Sequence, residues 1–374
     1  MPDSKISTKE AIMLVITVIV SHTIVTLPTS LLKNTKSAVL LNIIFISIMA
    51  LLIAYLIYIL MRKFQGQDII DISEYLGGKW CKNIIGTVFI VYFITSSGIL
   101  LRNFCEGLKI IYFPNTNIVF IMLAFIVTIC ITNTFKFSAN CKTISIILPF
   151  VILSIILLFI GNLQHFTFER IFPLLGEGFF NTFILGLGNL TAFGGISCLY
   201  IIPPLLKNPE KMKKIALTSI GISAVYLIFC VSTILFMFAF FQNIDEPLPL
   251  YTAASYIEFG TFFQRLDAIF LLVWMLEICC YLCIASQFST ILLKKIANLK
   301  HSRPLFFIFP LLIFSVALIP KNYAISRFIG DTVYNYVIIF VVFILSLLLL
   351  FLANIKKKKE GGNFNEKQVE QTTN

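Results

Sequence analysis

The sequence predicts an all-α integral membrane protein that crosses the bilayer about ten times. Three observations predict it: a composition too apolar for a soluble fold, ten apolar runs of span length, and basic residues gathered on alternate connections.

Hydrophobic residues make up 58% of the 374 residues and charged residues 13%, with a mean hydropathy of +0.94. A soluble domain carries roughly 25% charged residues, so a water-facing surface would be hard to assemble from this chain. Phe occurs 38 times, against two Trp and three His. The solvent for most of the chain is therefore lipid.

A span needs about 20 apolar residues, because a helix rises 1.5 Å per residue across a hydrocarbon core of about 30 Å. Ten runs meet this, some only just: Ala11 to Leu32, Ala38 to Met61, Ile84 to Leu101, Ile118 to Phe135, Thr143 to Gly161, Asn181 to Ile202, Ile215 to Phe241, Phe263 to Leu293, Pro304 to Ile319 and Thr332 to Ala353. The N-terminal run is too long for a leader's apolar core and lacks a small-residue cleavage site, so it is expected to stay as the first span.

Cytoplasmic connections retain an excess of Lys and Arg. With the N-terminus inside, 21 of the 29 basic residues fall on the cytoplasmic side and 8 on the other. Both termini are then cytoplasmic, and residues 356–374 read as a basic, disordered tail behind one transmembrane domain, 1–355. The net charge of +11 is spent on this asymmetry, and no soluble basic stripe suggests nucleic acid.

Spans 1 and 6 look interrupted at corresponding places. Ser21, His22 and Thr23 break the first before Pro28, and Gly186, Gly188, Asn189, Thr191, Gly194 and Gly195 crowd the sixth before Pro203 and Pro204. Paired breaks in two halves point to a mid-membrane solute site, because unwound backbone offers free N–H and C=O groups there. Spans 1–5 (about 9–162) and 6–10 (about 180–355) would be inverted repeats. The plainer alternative is that small residues let helices pack closely.

Several motifs in order resemble the B-subunit permeases of bacterial endospore germinant receptors, within the amino acid, polyamine and organocation transporter superfamily. They are Leu27-Pro28; Ile72-Ser73-Glu74-Tyr75-Leu76 with Gly78-Lys79-Trp80; Leu101-Arg102 with Glu106; Pro173-Leu174-Leu175-Gly176-Glu177-Gly178; Phe193-Gly194; and Arg265-Leu266-Asp267 with Trp274. The resemblance implies a LeuT-like fold of ten helices and a complex with a membrane A subunit and a C-subunit lipoprotein in the spore inner membrane. It also implies sensing of a small germinant, typically an amino acid. Two departures stand out: Ser21-His22-Thr23 where relatives often have glycines, and Gly195 where some carry a carboxylate.

The candidate ligand-binding residues are Ser21, His22, Thr23, Tyr92, Ser96, Gly188, Asn189, Thr191, Phe193, Glu277 and Tyr281. Glu277 is prominent because an ionisable group in mid-span is costly and is usually turned toward a cavity or partner. His22 has the bland alternative of bonding unwound backbone, and Tyr92 and Ser96 that of interhelical packing. Arg102 and Glu106, spaced i, i+4, are expected to pair at the outer end of span 3.

The nine Cys, including Cys279, Cys280 and Cys283, lie mostly within apolar runs without a His or basic neighbour, so packing is expected rather than metal or redox chemistry. No phosphate loop, nucleophile elbow or metal-ligand run occurs, so no enzyme, cofactor or metal is expected. The functional expectation is a germinant-sensing receptor subunit. The alternatives are an ion-coupled amino acid transporter and a ligand-free scaffold for the A subunit.

Overall fold

A computed structural model describes residues 5–25, 27–238, 248–257, 266–299 and 303–372. Arg265 of the eighth-span motif, the end of the seventh apolar run at Phe241 and the start of the eighth at Phe263 lie outside them.

The described residues are helical nearly throughout. In chain order come α1 (Thr8–Val20), a tight turn of 3₁₀ helix (Ser21–Ile24), α2 (Leu27–Thr35), α3 (Val39–Met61), α4 (Ile69–Ile111), α5 (Ile118–Asn133) and α6 (Phe137–Gly161). They are followed by α7 (Phe180–Tyr200), α8 (Met212–Met237), α9 (Pro249–Ser255), α10 (Leu266–Ile296), α11 (Leu305–Leu318) and α12 (Tyr323–Glu360). Seven of these elements are long and apolar enough to cross a membrane by themselves, while Ile118–Asn133 and Leu305–Leu318 are shorter apolar helices. The chain is thus an all-helical, multi-pass membrane protein.

Outward faces confirm the solvent. On α3, Ile44, Ile48, Leu52, Leu56 and Ile59 recur at three- and four-residue spacing and are exposed, while Asn42, Ile43, Ile46, Ala50 and Ala54 are buried. An apolar stripe of this length facing water would cost roughly 25 cal/mol per Å², whereas lipid imposes no such cost.

Both breaks are present. α1 gives way at Ser21 to the 3₁₀ turn, which ends at Val25 (φ −95°, ψ −86°) before the chain resumes as α2. α7 begins with a π turn, Phe180–Ile184, and continues with 3₁₀ winding through which Phe193 (φ −96°, ψ 23°) is non-helical. Asn42 of α3 holds this irregular stretch: its amide donates to Thr182 O (2.8 Å) and Gly186 O (3.1 Å), and its oxygen accepts from Asn189 Nδ2 (2.8 Å). Carbonyls released from α-helical pairing are thereby satisfied.

α1 packs among α6, α7 and α8, and α4 among α5, α10, α11 and α12, which puts both breaks at the centre. The two broken elements meet at their smallest residue. A Cβ on Gly195 would stand 2.6 Å from Ile19 Cγ1 and 2.8 Å from Ile19 N. A larger side chain would find no room in this packing.

Three boundaries differ from the sequence reading. The segment Arg62 to Lys82, expected to be a loop, contains a surface helix starting at Ile69, capped by Asp68 with a reciprocal contact from Asp71. It turns into the span at Gly78 (φ +66°, ψ −159°), a conformation that glycine alone adopts cheaply. Arg102 and Glu106 do pair (Nη2–Oε1 2.8 Å), but α4 runs on to Ile111, so the pair is buried rather than at the end; Arg102 Nη1 also donates to Ala317 O (3.3 Å). Beyond Glu360 the winding of α12 continues as helix to Thr372, through the residues assigned to the tail.

The basic connections converge on one end of the molecule. Ile6 N donates to Leu205 O (2.8 Å) and Lys207 N to Ile6 O (2.9 Å). Lys295 bridges Asp68 (2.7 Å) and Asp71 (2.6 Å), and Lys356 Nζ reaches Tyr75 O (2.7 Å) and lies over the Tyr75 ring. Burial pushes the Asp68 carboxyl up, and the Lys295 ammonium pulls it back down.

Candidate functional site: a cavity at the helix breaks

Behind the first break lies a cavity of about 80 Å³ lined by residues of α1 and its break, α2, α4, α7, α10 and α12. A water takes about 10–15 Å³ on this measure, so the space holds roughly five to eight waters, enough for a small organic solute.

Six of the sequence candidates line it: His22, Tyr92, Ser96, Asn189, Thr191 and Tyr281. His22 stands edge-on to the Tyr281 ring, with centroids 5.0 Å apart. The Tyr281 and Ser96 hydroxyls share a hydrogen bond, joining α10 to α4. Tyr92 Oη donates to Gly194 O (3.3 Å) at the second break, and the Tyr92 ring stacks on Tyr334, with centroids 5.9 Å apart. Thr191 Oγ1 donates to Gly188 O (3.1 Å), leaving its methyl and its acceptor lone pairs as the side chain's free surface.

The other five are placed elsewhere. Ser21 and Thr23 are buried and donate back to Val18 O and Val20 O, as hydroxyls do where a helix is broken. Phe193 is fully buried in packing. Gly188 is exposed, and a Cβ there would meet open space. Glu277 is fully buried in α10 outside the cavity lining, and neither carboxyl oxygen has a hydrogen-bond partner among the described residues. The Thr17 hydroxyl of α1 stands beside it without closing a hydrogen bond, and Tyr226 of α8 is a further neighbour.

Five polar lining residues escaped the sequence reading: Ser30, Asn103, Asp331, Tyr334 and Asn335. Asp331 was hidden by the span boundary, since the apolar run begins one residue later, at Thr332. The signal that finds it is Asn322, whose side chain accepts from Ile325 N (2.9 Å) and caps a helix that starts at Tyr323, well before Thr332's run. A π turn, Ile329–Tyr334, then swings Gly330, Asp331 and Tyr334 toward the cavity.

The family model described as spore germination protein matches residues 5–325. The chain belongs to the spore germination protein family. It is a B-subunit-like, permease-like germination protein, and the family is not an enzyme family. Similar members of the spore germination protein family include YndE of Bacillus subtilis strain 168, 20% identical over 369 residues, covering 96% of this chain and 99% of the relative. GerQB of Bacillus cereus is 24% identical over 226 residues, or 59% of this chain and 60% of that protein. Spore germination protein B2 of B. subtilis is 19% identical over 361 residues, 95% and 97% of the two chains. Among solved structures, a mutant manganese transporter of Eremococcus coleocola is 13% identical, with 92% of this chain and 76% of that chain covered at a TM-score of 0.49.

Proposed function

We propose that this protein senses a small germinant, such as an amino acid, in the cavity at the helix breaks, as the B subunit of a spore germinant receptor. The observation that carries the reading is the cavity itself, walled by both broken elements and by hydroxyl, amide and imidazole groups from α1, α4, α7 and α10. A sealed apolar bundle would need none of them.

On this reading the chain has ten spans in two inverted five-helix repeats, about 9–162 and 180–355. The broken α1–α2 counts as the first span, the two short apolar helices as the fourth and ninth, and α7 as the broken sixth. The domain runs from 1 to 355 and the tail from 356 to 374. The end bearing the converged basic segments faces the cytoplasm, and the membrane is the spore inner membrane. The A subunit and the C-subunit lipoprotein are its partners.

One observation favours a second reading, ion-coupled amino acid transport. Glu277 of α10 is a fully buried carboxyl with no hydrogen bond among the described residues, facing Thr17 of α1 and Tyr226 of α8, and such a group suits a coupling site for H⁺ or Na⁺. Uptake of labelled amino acid into proteoliposomes separates the two, since a sensor binds without accumulating solute.

The test of the sensing role is the germination response of spores carrying Thr191→Leu. Extra bulk at this buried lining position should abolish the response at normal protein abundance. Gly188→Leu, whose side chain would enter open space, should leave it intact. A wild-type dose response for Thr191→Leu would refute the site.

A further inference from the structure

We infer that Asp331 and Asn103 select the solute by a protonated amine, an inference that rests on the cavity being the solute site. The cavity wall formed by α4 and α12 presents two side chains that carry acceptors, Asn103 and Asp331. Asn103 is 4% exposed, lines the cavity, and its Oδ1 has no hydrogen-bond partner among the described residues. A buried amide oxygen left unmet costs about 1–3 kcal/mol, so a donor from the solute is the partner it lacks. Its amide nitrogen stands 3.4 Å from where a Cβ on Gly330 would be, which places Asn103 directly against the turn that carries Asp331.

Asp331 follows Gly330 and lines the same wall. Its Oδ2 accepts from Arg327 Nε at 3.3 Å, an i, i+4 ion pair with a guanidinium that is not itself among the lining residues. Its backbone carbonyl accepts from Asn335 Nδ2 (2.6 Å), which fixes the turn. A carboxylate has about four lone-pair sites, and this contact uses one.

Charge then decides among solutes. Among the described lining residues Asp331 is the sole acidic side chain, no Lys or Arg is present, and the imidazole of His22 is turned against Tyr281. A purely anionic solute would face Asp331 without an opposing cation in the wall. A sugar would offer only neutral hydroxyls to the carboxylate lone pairs that the Arg327 contact leaves open. An ammonium group satisfies both acceptors at once: three N–H donors meet Asn103 Oδ1 and the Asp331 carboxylate, in charge-assisted bonds stronger than neutral ones.

The experiment is equilibrium binding to the purified full-length protein in detergent. Each of the twenty protein amino acids is measured beside its 2-hydroxy acid, which replaces the ammonium by a hydroxyl, as L-lactate does for L-alanine. Amino acids should bind at least tenfold more tightly than their hydroxy acids. Asp331→Asn should remove most of that preference, Asp331→Glu should retain part of it, and Asn103→Leu should weaken it less than Asp331→Asn. The comparison of probes on the wild-type protein needs no variant to fold. Equal affinity for the two probe classes, or an unchanged preference in Asp331→Asn, overturns the proposal. If hydroxy acids alone bind and Thr191→Leu abolishes that binding, the amine assignment fails while the cavity stands as the site; if no probe binds, both fail.

Discussion

At Gly195 a single methyl group is the issue. A Cβ there would sit 2.6 Å from Ile19 Cγ1, 2.8 Å from Ile19 N and 3.0 Å from Val18 C, and two of these are backbone atoms that cannot swing aside. Gly195→Ala should therefore force α1 and α7 apart, at about 1–3 kcal/mol in the manner of overpacked cores, and lower the thermal midpoint in detergent. An unchanged midpoint would show that the two breaks are not in contact. Glu277 tests the opposite imbalance. Its carboxyl is buried without a hydrogen bond, so Glu277→Leu removes an unmet polar group and should leave stability equal or higher, while Glu277→Gln should be close to neutral. A clear fall in midpoint for the Leu variant would mean that the carboxyl is bonded after all. The sequence made Glu277 conspicuous because a charge stands out in an apolar run, but residue type cannot tell which face of α10 borders the cavity. Asp331 and Asn103 are inconspicuous for the converse reason: one stands just outside an apolar run, and the other is a neutral amide next to the charged Arg102.

Helices were legible wherever apolar length alone defines them. Ile118–Asn133 and Leu305–Leu318 match the fourth and ninth runs within a few residues, and α3 matches the second within one. The breaks were legible too, since Ser21, His22 and Thr23, and a cluster of glycines and polar residues, interrupt apolar runs, although close packing alone would also account for the glycines. What apolar length does not reveal is helix that lies on the surface. Ile69 to Leu76 carries Asp71 and Glu74, so hydropathy assigns it to a loop, although the Asp68–Asp71 cap announces a helix start. The clamp on this element is Lys295. Asp68 is 1% exposed, and Lys295→Met would leave its carboxylate buried beside Asp71 with no cation. Removing one partner of a buried pair costs roughly 3–5 kcal/mol. Limited proteolysis should then cut between residues 62 and 78 well before the wild-type protein is touched, and equal protection would show that the clamp is ornamental.

For the molecule as a whole, the arrangement of its ends is the main consequence. The N-terminal strand-like contact at Ile6, the surface helix, the segment after Pro203, Lys295 and the start of the tail all meet at one end. Cysteine labelling or reporter fusions should place residues 203–214 and the C-terminal tail on the same, cytoplasmic side; opposite sides would contradict an even number of spans. The central claim is that the cavity between the two broken elements holds the germinant. The measurement that bears on it most directly is saturation binding, to purified wild-type, Thr191→Leu and Gly188→Leu proteins, of a labelled amino acid that triggers the spores. The account predicts one saturable site in the wild-type and Gly188→Leu proteins and none in Thr191→Leu, with all three proteins melting alike. Saturable binding of wild-type affinity in a folded Thr191→Leu protein would contradict it.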